Sequence, residues 1–305
     1  MPKLKTICYA ARLVHRECLE VLFNRTEVAS VIIAGPELTP LPFLADPREY
    51  ARTFNVAPLD SEDVSREQLT GLASQTDVGI SLGCRRILRS KELGAPRFGT
   101  FNLHPSALPR YRGLHPDLYA LMDGKRCVGM TLHRMETGID AGPIVGQHTA
   151  IVEAADTIVM VTDRLYSQGA GLLESLLDQL AANARVAECP QPKDFDPLEN
   201  RRIINWRDSA WRINNLVRAL TFPWPMARAS IGGRPVLISK AQVVEDGLIE
   251  PGLVLRILED RIQVGTGGNS IEIQEVRGED REIIPVGQFI SDFSLLPGNT
   301  RFDID

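Results

Sequence analysis

Asn102-Leu103-His104 and, farther along, Asp140 place an amide, an imidazole and a carboxylate in two loops that each follow an apolar run. An asparagine amide polarises a carbonyl and steadies a developing oxyanion. A histidine takes or gives a proton near neutrality. An aspartate buried beside that histidine orients the ring and keeps it basic. No Ser or Cys sits in a strained strand-to-helix turn of the kind that presents a nucleophile. The set suits direct transfer between two bound molecules, without a covalent enzyme intermediate. An Asn-x-His pair alone is as readily a loop cap, so the reading rests on what surrounds it: Ser106, Leu108-Pro109, Arg112-Gly113, and the turn Thr137-Gly138-Ile139-Asp140-Ala141-Gly142-Pro143.

Other reactive side chains have duller readings. His133 lies on an alternating stretch and reads as a packed or surface imidazole. His115 is close enough in sequence to be a substrate contact, whereas His15 and His148 have no supporting context. Ser106 and Arg112 read as residues that fix the loop. Trp206, Trp211 and Trp224 read as core and domain-junction anchors.

These loops must be held by a scaffold. The stretches 4–10, 28–34, 56–59, 78–82 and 100–103 are short apolar strands. Helical stretches at 13–23, 49–54 and 65–74 separate the first four. Strands alternating with helices predict βαβ units, a parallel sheet and a doubly wound open architecture. Such sheets place ligands beyond the carboxyl ends of their strands, which is where 102–113 falls. Residues 128–135 and 144–151 predict an antiparallel pair across the Gly138–Pro143 turn. A long helix follows, capped at Asp156-Thr157, with Leu165, Leu172, Leu173, Leu176, Leu177 and Leu180 at helical spacing.

Residues 1–186 therefore form one α/β domain, and the Pro-, Gln-, Asp- and Glu-rich stretch 187–200 reads as a linker. Residues 201–305 form a second domain: a helix at 209–220, then short strands at 227–231, 236–239, 252–257, 261–264 and 271–276, a small β-barrel pattern. Gly265-Thr266-Gly267-Gly268 precedes a strand and not a helix, so it reads as a hairpin turn and not as a phosphate loop.

The 305 residues carry a net charge of −5 and 44% apolar residues, ordinary for a soluble globular protein without general attraction to nucleic acid or anionic lipid. Cys8, Cys18, Cys84, Cys127 and Cys189 form no C-x-x-C pair, which points away from a disulfide framework or zinc site and towards a reducing compartment, the cytoplasm. No signal peptide or membrane span is expected, and no metal.

Asn102-x-His104-x-Ser106-x-Leu108-Pro109-x-x-Arg112-Gly113, with Asp140-x-Gly142 and the stretch 129–135, resembles the 10-formyltetrahydrofolate-dependent formyltransferases. The likeness continues through Asn205-Trp206 and Pro223-Trp224-Pro225 to about Val244. The resemblance implies a Rossmann-like, mostly parallel open sheet, a C-terminal OB-like barrel, and Asn102, His104 and Asp140 as the catalytic trio. It implies 10-formyltetrahydrofolate as co-substrate, held by the backbone of Cys84, Arg85, Arg86, Ile87 and Leu88 and by the turn Gly138, Ile139 and Asp140. Arg12, Ser106, Arg110, Tyr111, Arg112 and His115 are the candidates on the acceptor side.

The acceptor is an amine. Methionyl-tRNA formyltransferases carry a basic insertion after the second strand, whereas residues 35–50 here hold one basic and three acidic residues. The barrel stretch 201–305 holds 13 Lys and Arg against 14 Asp and Glu. A tRNA binder needs several phosphate-neutralising cations on one face. Tyr9-Ala10-Ala11-Arg12 also departs from that group, and the motifs are closer to nucleotide-sugar N-formyltransferases. For such a substrate Arg12, Arg85, Arg86, Arg110 and Arg112 would meet the diphosphate. A hydroxyornithine-type amine and methionyl-tRNA are the alternative acceptors. A formyltetrahydrofolate hydrolase fits less well, and the non-enzyme alternative is a folate- or nucleotide-binding protein without catalysis. The barrel has three open uses: acceptor binding, a homodimer contact, or a passive remnant.

Overall fold

Apolar, β-branched runs bounded by Gly, Pro and Asp become strands where both faces can be covered. The computed structural model describes residues 3–36, 39–191, 202–221 and 226–304. Its first elements are β1 (Lys5–Ala10), β2 (Val14–His15), α1 (Arg16–Arg25), β3 (Glu27–Ile33), β4 (Leu44–Ala45), α2 (Pro47–Thr53), β5 (Pro58–Asp60) and α3 (Arg66–Ala73). Then come β6 (Val78–Leu82), α4 (Ser90–Leu93), β7 (Thr100–His104), α5 (Pro116–Met122), β8 (Cys127–Arg134), β9 (Ile144–Ile151) and α6 (Ile158–Ala181). Seven strands form one sheet in the order β5-β3-β1-β6-β7-β8-β9. The first five run parallel and the last two antiparallel. The expected open, mostly parallel sheet is present.

All of β6 is buried, so both of its faces are covered. Ile7, Tyr9, Ile32, Leu69, Ala73, Leu88 and Leu93 make one core cluster. Ser65 and Gln68 close a capping box at the start of α3, and Asp46 caps α2 ahead of its N1 proline. The first helix starts at Arg16 and not at Leu13, because Val14 and His15 pair with Ala45 and Leu44. The one-turn helix α4 and the helix α5 behind His115 carry too little periodicity to be read from sequence.

The sheet order reverses between β1 and β6, and the carboxyl ends of β1, β6 and β7 lie side by side. Arg12, the stretch 84–88 and the stretch 104–113 follow those three ends, the crevice where open α/β sheets hold ligands. On β7, Leu103 points at α6: a Cβ on Gly169 would lie 2.7 Å from Leu103 Cδ2 and 3.1 Å from Met130 Cγ. Strand alternation then turns Asn102 and His104 to the face away from α6.

The second unit contains α7 (Ala210–Ala219), β10 (Ala227–Ile231), β11 (Arg234–Val244), β12 (Val254–Ile257), β13 (Ile262–Gly265), β14 (Ser270–Arg277), β15 (Ile283–Ile284) and α8 (Val286–Asp292). Its antiparallel sheet runs β10-β11-β14-β13-β12, with β15 on β14. The C-terminal tail, left without a role by the sequence, bonds at both edges. Phe302 N donates to Gly252 O just before β12, and Asp303 N donates to Ser230 O on β10, both at 2.8 Å. These bonds close the sheet into a small barrel, with Trp206 and Phe302 buried 4.6 Å apart, ring to ring. Gly265 and Ser270 pair across residues 266–269, the expected hairpin.

The chain divides into one compact unit of Met1–Asp117, Cys127–Ile151 and Met160–Leu198, and another of Leu118–Arg126, Val152–Val159 and Glu199–Asp305. Residues 118–126 and 152–159, read from sequence as part of the first domain, group with the second unit. Most of the expected linker (192–200) and Pro223-Trp224-Pro225 lie outside the described residues.

Gly129 on β8 sets how closely the loop after β7 can approach. A Cβ there would stand 2.6 Å from Ala107 N and Cα, and a backbone cannot yield as a side-chain tip can. Gly129→Ala is expected to destabilise the protein by about 1–3 kcal/mol. Urea unfolding of the whole chain measures this, and a change below about 0.5 kcal/mol, the size of an ordinary surface substitution, would contradict the packing.

Candidate active site

Asn102 and His104 alternate on one face of β7, and the β7–β8 register sets His133 opposite Asn102 and Thr131 opposite His104. The β8–β9 connection starts beside Phe101, because Arg134 pairs with that residue. It doubles back so that Asp140 reaches groups beyond the end of β7.

The Asp140 carboxylate is the meeting point. Its Oδ2 accepts the Gly113 amide at 2.9 Å and lies 3.5 Å from His104 Nδ1. Its Oδ1 lies 3.5 Å from both His133 Nε2 and Asn102 Nδ2. Gly113 has φ 99°, a conformation open to glycine and strained for other residues, so its amide is aimed by the glycine itself. Tyr111, His115 and Asp140 also have positive φ, at 57°, 54° and 46°. Strained backbone of this kind concentrates at functional sites.

Burial opposes ionisation of Asp140, but the His133 hydrogen bond, the His104 charge and the Gly113 amide outweigh it and hold its pKa below the usual carboxylate value. His104 is 4% exposed. Burial pushes its pKa below 6.5, against the pull of Asp140 and of the Tyr111 carbonyl. That carbonyl lies 3.0 Å from Nε2, which fixes the ring proton on Nε2 and leaves Nδ1 as the basic nitrogen beside the carboxylate. A proton arriving at Nδ1 is drawn to Asp140.

His133 is packed, at 1% exposed, and it also belongs to this group, which the sequence reading did not include. Its Nδ1 lies 2.9 Å from Arg134 O, and its Nε2 stands 3.2 Å from Asn102 Nδ2 and 3.5 Å from Asp140 Oδ1. Asn102 Nδ2 itself lies 3.5 Å from Asp140 Oδ1, too long to be tightly bound, and remains a donor for a carbonyl oxygen. The signal for His133 was cross-strand register, which alternation alone does not reveal.

The remaining candidates divide. Ser106 Oγ donates to Arg110 O at 2.8 Å, and Ser106 O accepts Thr131 Oγ1 at 2.6 Å; it holds the loop. Arg112 is 2% exposed, with Nη2 3.0 Å from Gln191 Oε1, so it belongs to the frame and not to a diphosphate site. Arg86 is likewise spent on the carbonyls of Ser61 and Val64. Arg12 Nε donates to Gly35 O at 2.7 Å and the guanidinium lies 3.7 Å from Asp60. Arg85 Nη2 donates to His115 Nε2 at 2.9 Å, joining the loops after β6 and β7. Arg110 is exposed. Cys84 and Leu88 pack in or against the core, while Ile87 and Ile139 are 77% and 62% exposed on the two loops assigned to the folate. Gln191 was missed entirely. Its Nε2 donates to Asp140 O at 3.1 Å and to Gly142 O at 2.6 Å, from a segment whose composition reads as linker.

Among the described residues no activated nucleophile joins the cluster: Ser106 is engaged, and burial pushes the Cys84 thiol up to about 11. Among the described residues no group of three or more His, Cys, Asp or Glu could hold a metal ion. An amide donor, a basic imidazole and a charge-balancing carboxylate can move a proton while an acyl carbon changes partners.

A formyl transferase domain matches residues 21–177, and a formyl transferase C-terminal domain matches residues 199–294. The chain belongs to the formyltransferase family, and it is a formyltransferase. It is 31% identical, over 77% of its length and 74% of the relative's, to a methionyl-tRNA formyltransferase of Citrifermentans bemidjiense. Its fold is similar, at a TM-score of 0.64 and 20% identity over 90% of this chain and 99% of the other, to an N-formyltransferase of Helicobacter canadensis solved with folinic acid and dTDP-3-aminofucose. HypX of Aquifex aeolicus gives the same TM-score at 18% identity over 95% of this chain, which spans about half (48%) of HypX.

The His104 ring in the free protein is expected to titrate below 6.5, its ordinary value, because burial outweighs the carboxylate. A midpoint at or above that value in an NMR pH titration would contradict the burial argument.

Proposed function

We propose that the chain transfers the formyl group of 10-formyltetrahydrofolate to a primary amine on a small molecule, a nucleotide-linked aminosugar. The observation that carries the chemistry is the convergence of Asn102, His104 and His133 on the Asp140 carboxylate within 3.5 Å. The donor, a co-substrate, supplies the formyl carbon. The exposed Ile87 and Ile139 and the backbone of 84–88 and 138–140 suit a flat, partly apolar ring with polar edges.

In this mechanism an Nδ2 proton of Asn102, only loosely engaged by Asp140 at 3.5 Å, meets the formyl oxygen as the acceptor nitrogen bonds to the formyl carbon. His104 Nδ1 takes the proton that the nitrogen sheds, and Asp140 balances the resulting imidazolium. Collapse breaks the bond between the formyl carbon and the folate nitrogen, which leaves with a proton returned by His104. His133 holds the Asn102 amide in register throughout.

The small-molecule reading is supported by charge. In residues 35–50 the one basic residue, Arg48, pairs with Asp60 at 3.0 Å and lies 3.7 Å from Asp46. An Arg so paired is a poor phosphate ligand. Arg12 is held by Gly35 O and stands 3.7 Å from Asp60, so Arg85 and the exposed Arg110 are the cations that would meet a diphosphate. The relatives named methionyl-tRNA formyltransferases favour tRNA as the second reading. We read 1–186 as the catalytic domain, 187–200 as the linker and 201–305 as the barrel; the two family matches span 21–177 and 199–294. Five free thiols suit a reducing compartment, the cytoplasm. Among the described residues no helix is long and apolar enough to cross a membrane.

Tetrahydrofolate release, measured against dTDP- and UDP-aminosugars, hydroxyornithine and methionyl-tRNA, tests the acceptor. Turnover is expected with one aminosugar, and turnover confined to methionyl-tRNA overturns the charge argument. With the working acceptor, His104→Ala is expected to lower kcat at least about a hundredfold while the protein stays folded. Asp140→Asn should lose most of the rate with donor affinity retained, and an equal loss of donor affinity would make Asp140 a binding residue instead.

A further inference from the structure

The segment that follows α6 does more than connect. Glu188 Oε1 accepts Arg134 Nε at 2.6 Å. Cys189 exchanges both backbone hydrogen bonds with Ile144, at 2.8 Å each, at the start of the edge strand β9. Gln191 then turns into the Asp140 loop, so residues 188–191 are fastened at three successive points. The Gln191 amide is used at both ends. Its Nε2 faces the carbonyls of Asp140 and Gly142 at 3.1 and 2.6 Å, and its Oε1 accepts Arg112 Nη2 at 3.0 Å. Arg112 is buried and stands next to Gly113, whose amide binds the Asp140 carboxylate. The side chain of Gln191 therefore ties together the two loops that hold Asp140 from opposite sides.

Asp140 needs such a tie. Its φ of 46° is costly for a residue with a Cβ, and a carbonyl held by a donor resists relaxation of the peptide. We infer that Gln191 is a positioning residue for the transfer: it holds Asp140 in the strained conformation that keeps its carboxylate between His104, His133 and Asn102. This inference rests on the proposed roles of His104 and Asp140.

Two variants separate the functions of the amide. Gln191→Leu removes both ends. Gln191→Glu keeps the acceptor for Arg112, now as an ion pair, and loses the donor facing the two carbonyls. With 10-formyltetrahydrofolate and the acceptor amine that gives fastest turnover, both variants are expected to lower kcat about tenfold to a hundredfold, with the KM for the donor within about twofold of the parent, as for an interaction made only in the transition state. The His104 titration should move to lower pH in Gln191→Leu, because a displaced Asp140 no longer favours the imidazolium; Gln191→Glu brings a negative charge of its own, which acts the other way, so kcat is its readout. A merely structural role for Gln191 would lower the thermal midpoint and leave the titration of the Leu variant unmoved. Parental kcat in Gln191→Glu or an unshifted His104 titration in Gln191→Leu overturns the inference. His104→Ala, run alongside, tells the two failures apart. Lost turnover there with normal Gln191 variants defeats only the positioning role, and retained turnover there defeats the mechanism and the inference together.

Discussion

One mostly buried carboxylate organises this site. Asp140 stays ionised in a place that disfavours charge because an amide N–H, two imidazoles and a side-chain amide all face it. Burying a charge is tolerable only when its surroundings replace the lost water. The surrounding fold is arranged for that replacement: β7 presents Asn102 and His104 on one face, β8 brings His133 opposite, and the loop after β7 ends at Gly113.

The same constraint explains the architecture around it. A parallel sheet buried on both faces leaves its strand ends as the place for polar loops, and three such ends meet where the order reverses beside β1. The two antiparallel strands added after β7 supply a second loop, which folds back over the first. Glycines at 113 and 129 permit that closeness, one through its backbone conformation and one through its missing Cβ.

Much of this was legible in the chain. Strand alternation, apolar runs and turn residues located the parallel sheet, the antiparallel pair and the barrel strands within a few residues, because local patterns decide them. Asn102, His104 and Asp140 stood out because three residue types of complementary chemistry occur in two Gly- and Pro-marked loops. His133 did not, because its place depends on the register between two strands separated by the loop after β7 and by α5. Gln191 did not, because polar composition is the signature of a linker and gives no sign of a contact 51 residues back along the chain. Arg112 fixes its loop as its place in the motif implies, but as candidate diphosphate cations Arg86 and Arg112 both fall away, because a sequence shows charge and not burial. The closing role of Phe302 and Asp303 was hidden for the same reason as His133.

The central claim is that this cluster passes the formyl group directly from one bound molecule to the other. The most direct measurement is the intact mass of the protein after incubation with 10-formyltetrahydrofolate and no acceptor, together with tetrahydrofolate release in the same sample. The account predicts an unmodified mass and release that begins only when the amine is added. A formyl group found covalently on the protein, on a pathway fast enough to account for turnover, would contradict it.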